Sequence, residues 1–300
     1  MATGGRPAGP DGLALVDKAA GWTSHDVVAK ARGVLGTRKV GHSGTLDPDA
    51  TGLLLLGVGK VTRLLKYLGL PSKTYVGVVV LGTATTTLDA SGAVTGTWDM
   101  AGVGQAEVAA AATALTGAIL QVPPMVSAVQ VGGRRLHELA RQGIEIERAA
   151  RPVTVHAFAV GPPIEAGCFP IEVTCSSGTY IRSLAAEVGT ALGGGAHLRD
   201  LRRTAIGCFS VDRAVAVEAI TPEGLLSPAA ALGDMAMVTV DDDVATAVGF
   251  GKVLPLQVLG VAGEGPWPIM GPAGNLLAVY EGYQDALAKP SVVLAPAGQP

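Results

Sequence analysis

Residues 41–52 read GHSGTLDPDATG, and the apolar run LLLLGVG (53–59) follows at once. The loop has few bulky apolar side chains and holds Gly41, Gly44 and Gly52. Glycine lets a backbone take positive φ or approach a neighbour closely. Pro48 fixes its own φ and biases Asp47 toward extended geometry. Such a loop, braced by a buried strand, presents Asp47 in a defined place. A calcium loop does not fit, because Val58 stands where the bidentate Glu belongs and Pro48 is badly placed. A phosphate loop fails too: Gly52 and Gly57 have the right gap, but Val58 occupies the place of the lysine.

The 300 residues suffice for one large or two smaller domains, and with 48% apolar and 16% charged side chains they read as globular. No apolar run reaches the ~18 residues that cross a bilayer. MATGGRPAGPDG lacks the apolar centre of a signal peptide and reads as a flexible tail. Cys168, Cys175 and Cys208 form no CxxC pair, which suits a reducing cytoplasm and no zinc site. The net charge of −3 hides an asymmetry. Residues 214–300 carry nine acids and two lysines, a balance of −7, which leaves 20 basic and 16 acidic side chains, +4, in residues 1–213. Lys30, Arg32, Arg38, Lys39, Lys60, Arg63, Lys66 and Lys73 crowd one stretch with only two acids. A phosphate backbone reads such a local patch rather than the total charge.

Along the chain, LALVD (13–17) reads as a strand, and Ser24 is placed to cap a helix with Val27, Val28, Ala31 and Leu35 on one face. A strand at 53–58 precedes a helix near 60–69, with Val61, Leu64, Leu65 and Leu68 inward and Lys60, Arg63 and Lys66 outward. KTYVGVVVL (73–81) is a β-branched strand that starts near Tyr75. LGTATTTLDASGAV (81–94) reads as an exposed loop, and QAEVAAAATAL (105–115) as a helix. PPMVSAVQVGGRRLHELARQG (123–143) reads as strand, turn and helix, with Arg134, Arg135 and Arg141 available to phosphates, and 144–152 as a surface insertion. VTVHAFAV (153–160) and PIEVTCS (170–176) alternate as half-buried antiparallel strands. In SSGTYIRSLAAEVGTALGGGAHLRDLRRT (176–204), Gly178 ends a strand and a helix follows on Ile181, Leu184, Ala185, Val188 and Leu192. Arg182 falls in the first turn of that helix, where the dipole disfavours a cation unless an anion is near. His197 reads as a loop support. After about residue 220 come a linker, an acid-capped helix and short strands with Gly/Pro turns.

GHSGTLDPDATGLLLLGVGKVTRL (41–64) closely resembles the signature of the TruB family of tRNA pseudouridine synthases. So do KAAGWTS (18–24, with Ala19 where the family has proline), the Lys73-Thr74-Tyr75 segment and Gly178-Thr179-Tyr180-Ile181-Arg182. The resemblance spans roughly residues 12–213. It implies the pseudouridine synthase fold, α/β (α+β), with a mixed, largely antiparallel sheet flanked by helices and a small C-terminal PUA-like β domain. The expected division is a tail at 1–11, a catalytic domain at 12–233, the β domain at 237–292 and a tail at 293–300.

By the same resemblance the chain isomerises the T-loop uridine 55 of tRNA to pseudouridine with no cofactor and no metal. Asp47 is then the catalytic carboxylate and Arg182 its partner, holding the acid's pKa down. Tyr75, Tyr180 and Leu201 would line the base pocket, and His42 would fill the space left by the flipped base. The T-arm is the expected partner, the chain a monomer, and the C-terminal domain too acidic for strong phosphate binding. A non-catalytic tRNA-binding protein on the same scaffold would not need Asp47, Tyr75 and Arg182 together. A glycoside hydrolase would need two cooperating carboxylates, and Asp49 is poorly placed to be the second.

Overall fold

Four consecutive leucines set the layering. In β3 (Thr51–Val58) alternate side chains leave opposite faces of the strand. Leu53 and Leu55 enter one core with Leu13, Leu15, Val61 and Leu64. Leu54 and Leu56 enter another with Ala14, Val16, Val27, Val28 and Ala31. The run is continuous rather than alternating because both faces of this strand are covered. The computed structural model describes residues 9–127, 130–131, 134–135, 142, 144 and 146–295.

Among the described residues the main sheet has nine strands. They are β1 (Gly12–Lys18), β2 (Val40–Ser43), β3, β4 (Lys73–Leu81), β5 (Gly117–Gln121), β6 (Arg151–Val160), β7 (Cys168–Cys175), β8 (Ala196–Ile206) and β9 (Phe209–Ser210). The order is β1-β3-β8-β4-β7-β6-β5, with β2 beside β3 and β9 beside β8. Only the β3–β8 pair is parallel, through Arg202↔Thr51 and Arg203↔Gly52, so the sheet is mixed and largely antiparallel. Among the described residues three α-helices of at least 10 residues belong to this part: α1 (Ser24–Val34), α2 (Gln105–Ala114) and α3 (Ile181–Ala191). Ile181, Leu184, Ala185 and Val188 of α3 pack with Val79, Phe169, Val173 and Leu198 of the sheet.

Three local readings need correction. Thr23, not Ser24, caps α1: its Oγ accepts from Asp26 N, and Asp26 accepts from Thr23 N in return. This reciprocal box outcompetes a single hydroxyl, and it frees Ser24 for another task. The segment after β3 begins as a 3₁₀ helix (Gly59–Leu64) before one α turn (Leu65–Leu68). Winding three residues per turn stacks Val61 and Leu64 on the same buried side. Residues 81–94 are not simply loop, since Thr83–Thr85 pairs with Val94–Thr97 as a hairpin. Leu136, Leu139 and Ala140 of the helix read within 123–143, and Arg141, lie outside the described residues, as do the side chains of Arg134 and Arg135, whose backbones pair with Gln130–Val131.

The C-terminal β domain contains α4 (Asp242–Gly249) and strands β10 (Val238–Thr239), β11 (Leu254–Pro255), β12 (Trp267–Met270), β13 (Leu276–Gly282) and β14 (Leu287–Val293), ordered β10-β12-β13-β14-β11. It shares a core with the first sheet: Leu276, Val279, Val292 and Leu294 pack with Leu13, Leu53, Tyr67 and Phe209. β14 ends at Val293, and Leu294 after it is buried. Lys66 bonds Glu281 (2.8 Å) and Ser291, Tyr67 bonds Glu281 (2.7 Å), and Arg63 bonds the Val293 carbonyl. Burying a Leu or Val contributes about 1.5–3 kcal/mol, against a total stability of about 5–15 kcal/mol. A chain truncated at residue 236 is therefore expected to melt far below the full chain or to aggregate. An unchanged melting midpoint would show that the shared core adds little.

Candidate active site

Asp47 is presented by a loop held at both ends. Leu46 and Ala50, on either side of it, are buried in the core with Val79 and Leu184. The turn before α1 clamps what lies between. Ser24 Oγ accepts from Leu46 N (3.0 Å) and donates to the Leu46 carbonyl (3.3 Å). The Pro48 carbonyl accepts from Gly21 N and from Lys18 Nζ, both at 2.9 Å. Lys18 is 1% exposed and also donates to the Ala19 and Trp22 carbonyls. Burial pulls its ammonium down to about 8, while Asp49 and then Asp47 oppose the fall.

Two glycines make the loop possible. Gly52 has φ +98°, and a Cβ there would lie 2.2 Å from the Arg203 carbonyl oxygen. Gly44, at φ +76°, brings its carbonyl to Arg203 Nη2 (3.0 Å). Gly52→Ala should destabilise by more than the ~1–3 kcal/mol of backbone strain alone, because β3 and β8 must part. Chemical denaturation would measure it, and a near-neutral result would contradict this packing.

Arg182, only 4% exposed, reaches Asp47 Oδ2 at 2.8 Å. Its Nη1 donates to the Thr87 carbonyl (2.9 Å) and lies 3.5 Å from Asp89 Oδ2, and its Nη2 donates to the Val126 carbonyl (2.9 Å). The guanidinium is thus fixed from several sides while Asp47 stays 41% exposed. Loss of water pushes the Asp47 carboxyl above its ordinary pKa; Arg182 opposes that rise and Asp89 adds to it. The sequence-based expectation had only Arg182's pull, and burial outweighs it.

Two cavities meet at this pair. One, of 240 Å³, is lined by Asp47, Lys73, Tyr75, Tyr180, Arg182, Leu201 and Arg203, among others. The other, of 290 Å³, has Asp47, Asp89, Arg182, Asp200 and Leu201 in its walls. Leu201 lines both because β8 bulges between Arg199 and Arg202, with Asp200 at φ +56°. Tyr180 is held by its backbone, its N–H donating to Gln121 Oε1 (2.7 Å) and its carbonyl accepting from Gln121 Nε2 (3.2 Å). Tyr75 is buried, with the Arg203 guanidinium 6.0 Å from its ring centre. His42 lies outside both linings. It meets His25 edge-on at 5.3 Å, and its buried Nδ1 has no partner among the described residues. Burial, then His25 and Arg203, push its pKa down, which favours the neutral ring. His197, read as a loop support, lies instead on β8, and its Nδ1 is 2.9 Å from the carbonyl of Thr83 in the hairpin.

Comparison with known proteins decides the family. A profile described as TruB family pseudouridylate synthase (N terminal domain) matches residues 32–181, and one described as tRNA pseudouridylate synthase B C-terminal domain matches 182–226. The chain belongs to the TruB family. Its relatives include tRNA pseudouridine synthase B of Arthrobacter sp. (strain FB24), 44% identical over 96% of this chain and 98% of the relative. Another, from Nocardia farcinica (strain IFM 10152), is 51% identical over 72% of each. Among solved structures, a chain of a Cbf5-Nop10-Gar1 complex superposes with TM-score 0.72 at 28% identity, covering 92% of this chain and 80% of that one.

In this TruB chain several site residues escaped the sequence reading. Asp89 is delivered by the hairpin turn, where Leu88 takes φ +63° and residues 88–90 dock on Leu198. Its Oδ1 accepts from Thr87 Oγ1, Ser91 N and Ser91 Oγ. The Thr-x-Asp-x-Ser spacing, a sign of side chains folding back on the backbone, was the available signal. Lys73 was counted in the basic stretch, and Lys18 and Arg203 were given no role of their own, yet all three are buried. The basic stretch also divides differently. Lys60, Arg63 and Lys66 are exposed but engage Asp11 or the C-terminal domain. Lys30, Arg32, Arg38 and Lys39 are exposed as well, and of these Arg32 donates to the Val40 carbonyl.

Proposed function

We propose that this tRNA pseudouridine synthase isomerises the T-loop uridine 55, with Asp47 as its catalytic carboxylate. The observation that carries the reading is a half-open carboxylate on a clamped loop, 2.8 Å from a buried arginine, at the junction of two cavities. The target nucleotide must first leave its stack, at a cost of a few kcal/mol. In the 240 Å³ cavity its base lies against Tyr75, with Tyr180 and Leu201 as further walls. An aromatic platform contributes about 1–3 kcal/mol per stacked base.

Isomerisation breaks the bond between C1′ and N1, turns the uracil, joins C5 to C1′ and releases the C5 proton, while the freed N1 takes one up. No oxidant or energy donor is consumed. The Asp47 anion attacks C1′ or takes a ribose proton as the glycosidic bond weakens, and Arg182 keeps it ionised and aimed. Neutral His42, on the strand leading into the loop, fills the gap that the flipped base leaves.

The exposed Lys30, Arg32, Arg38 and Lys39 supply phosphate contacts to the T-arm. The chain acts as a monomer in the cytoplasm. Residues 12–233 form the synthase domain, and 237–292 a PUA-like domain that contributes shape and stability. Among the described residues no helix is long and apolar enough to cross a membrane. Tritium at C5 of the tRNA uridines tests the reading directly: label should be released from wild-type tRNA and retained when uridine 55 is replaced by cytidine. Equal release from both would place the reaction elsewhere.

A further inference from the structure

Beneath the 240 Å³ cavity lie two cations that the reaction as described does not use. Lys73 is 5% exposed and Arg203 is 0% exposed, and both line the cavity. Both also lie against Gly44 in the Asp47 loop: a Cβ on Gly44 would be 3.4 Å from Lys73 Cε and from Arg203 Nη1. Backbone carbonyls hold them in place. Lys73 Nζ donates to Gly69 (3.0 Å) and Pro71 (3.3 Å), and Arg203 donates to Leu53 (2.7 Å) and Gly44 (3.0 Å). Among the described residues neither has a carboxylate within ion-pair distance. The cavity wall therefore carries three cations, Lys73, Arg182 and Arg203, against one carboxylate, Asp47.

Burying a cation without an anion is costly. Burial, with Arg203 adding to the fall, pulls the Lys73 ammonium down to about 8. A site that retains two such charges is built for an anion that arrives or forms there. A flipped uridine is neutral, and its phosphates stay outside a cavity of this size. The anion that does form is the base itself. Heterolysis of the C1′–N1 bond leaves the electron pair on uracil, spread over N1, O2 and O4, and no proton moves in that step.

We propose that Lys73, backed by Arg203, is a further catalytic residue that stabilises the uracil anion released when the glycosidic bond breaks. Preorganised charge aimed at a developing anion in a water-poor site accelerates bond breaking more than it tightens ground-state binding. The inference rests on reading this cavity as the uridine pocket. Arg203 also ties β3 to the Asp47 loop, so Lys73 is the residue to test.

Lys73→Met removes the charge and keeps the apolar stem. Lys73→Gln, run beside it, removes the charge but keeps a donor, and Lys73→Arg keeps the charge. Single-turnover rates are measured at saturating enzyme on T-arm RNA carrying uridine or 5-fluorouridine at the target. The readout is loss of the parent nucleoside from RNA digests. Fluorine withdraws electrons and stabilises the base anion by itself. Both neutral variants should lose about 10²-fold on uridine and much less on 5-fluorouridine, with RNA affinity unchanged, while Lys73→Arg stays within a few-fold of wild type. Wild-type rates in the neutral variants, or equal losses on both substrates, would overturn the proposal and leave Lys73 a packing residue. If Asp47→Asn itself turns over, the reading of the pocket fails instead.

Discussion

Asp47→Asn is expected to abolish tritium release from C5-labelled tRNA while leaving tRNA affinity within several-fold of wild type. The loop has no second acid able to substitute. Asp49 is exposed and lines only the 290 Å³ cavity, and Asp89 is engaged by Thr87, Ser91 and Arg182. Loss of the acting carboxylate should cost at least about 10³-fold in single-turnover rate. The fold should survive. Asp47 hangs its backbone on Leu46, Pro48 and Ala50, and the amide still accepts a hydrogen bond from Arg182. Affinity should survive as well, because phosphate contacts and pocket walls supply it. Substantial turnover by the variant would remove Asp47 from the chemistry.

The sequence showed this acid because glycine, proline and a following leucine run converge on it, and those are local signals. Arg182 was legible for a related reason, since a cation in the first turn of a helix asks for an anion. What stayed hidden depended on distant partners. Nothing near Ser24 says that Leu46, 22 residues on, will take its hydroxyl from the helix cap. Lys66 reads as a solvated face until Glu281, 215 residues away, is seen to accept from it. The same contact places part of the acidic surplus of residues 214–300 against the basic stretch instead of against RNA. Asp89 needed the strained turn at Leu88 docked on Leu198. Lys73 and Arg203 are the hardest case, because a buried cation is spelled like an exposed one. Only β3, β4 and β8 in register show that both lie under Gly44.

The cluster around Arg182 makes an opposed pair of predictions for the acid limb of the pH–rate profile. Asp47 must be ionised to act, so activity is lost as pH falls through its pKa. Burial raises that pKa, Arg182 pulls it down against the rise, and Asp89 adds to the rise. Removing Arg182 should therefore move the acid limb to higher pH, and Asp89→Asn should move it to lower pH. Arg182→Met should also lower turnover by about 10²–10³-fold, the scale of one lost preorganised electrostatic contact. It leaves the Thr87 and Val126 carbonyls without their donor, at about 1–3 kcal/mol each if they stay buried. Melting must therefore be measured alongside the rates. Arg182→Lys restores a charge but not the planar fork that spans Asp47, Asp89 and two carbonyls at once, so it should recover only part of the rate. The two shifts are read from single-turnover rates between the acid and neutral range, with the double variant closing the cycle. An acid limb that stays put in both single variants would mean that Arg182 and Asp89 do not set the ionisation of Asp47. Arg182 would then be a structural tie between the hairpin turn, residue 126 and the loop.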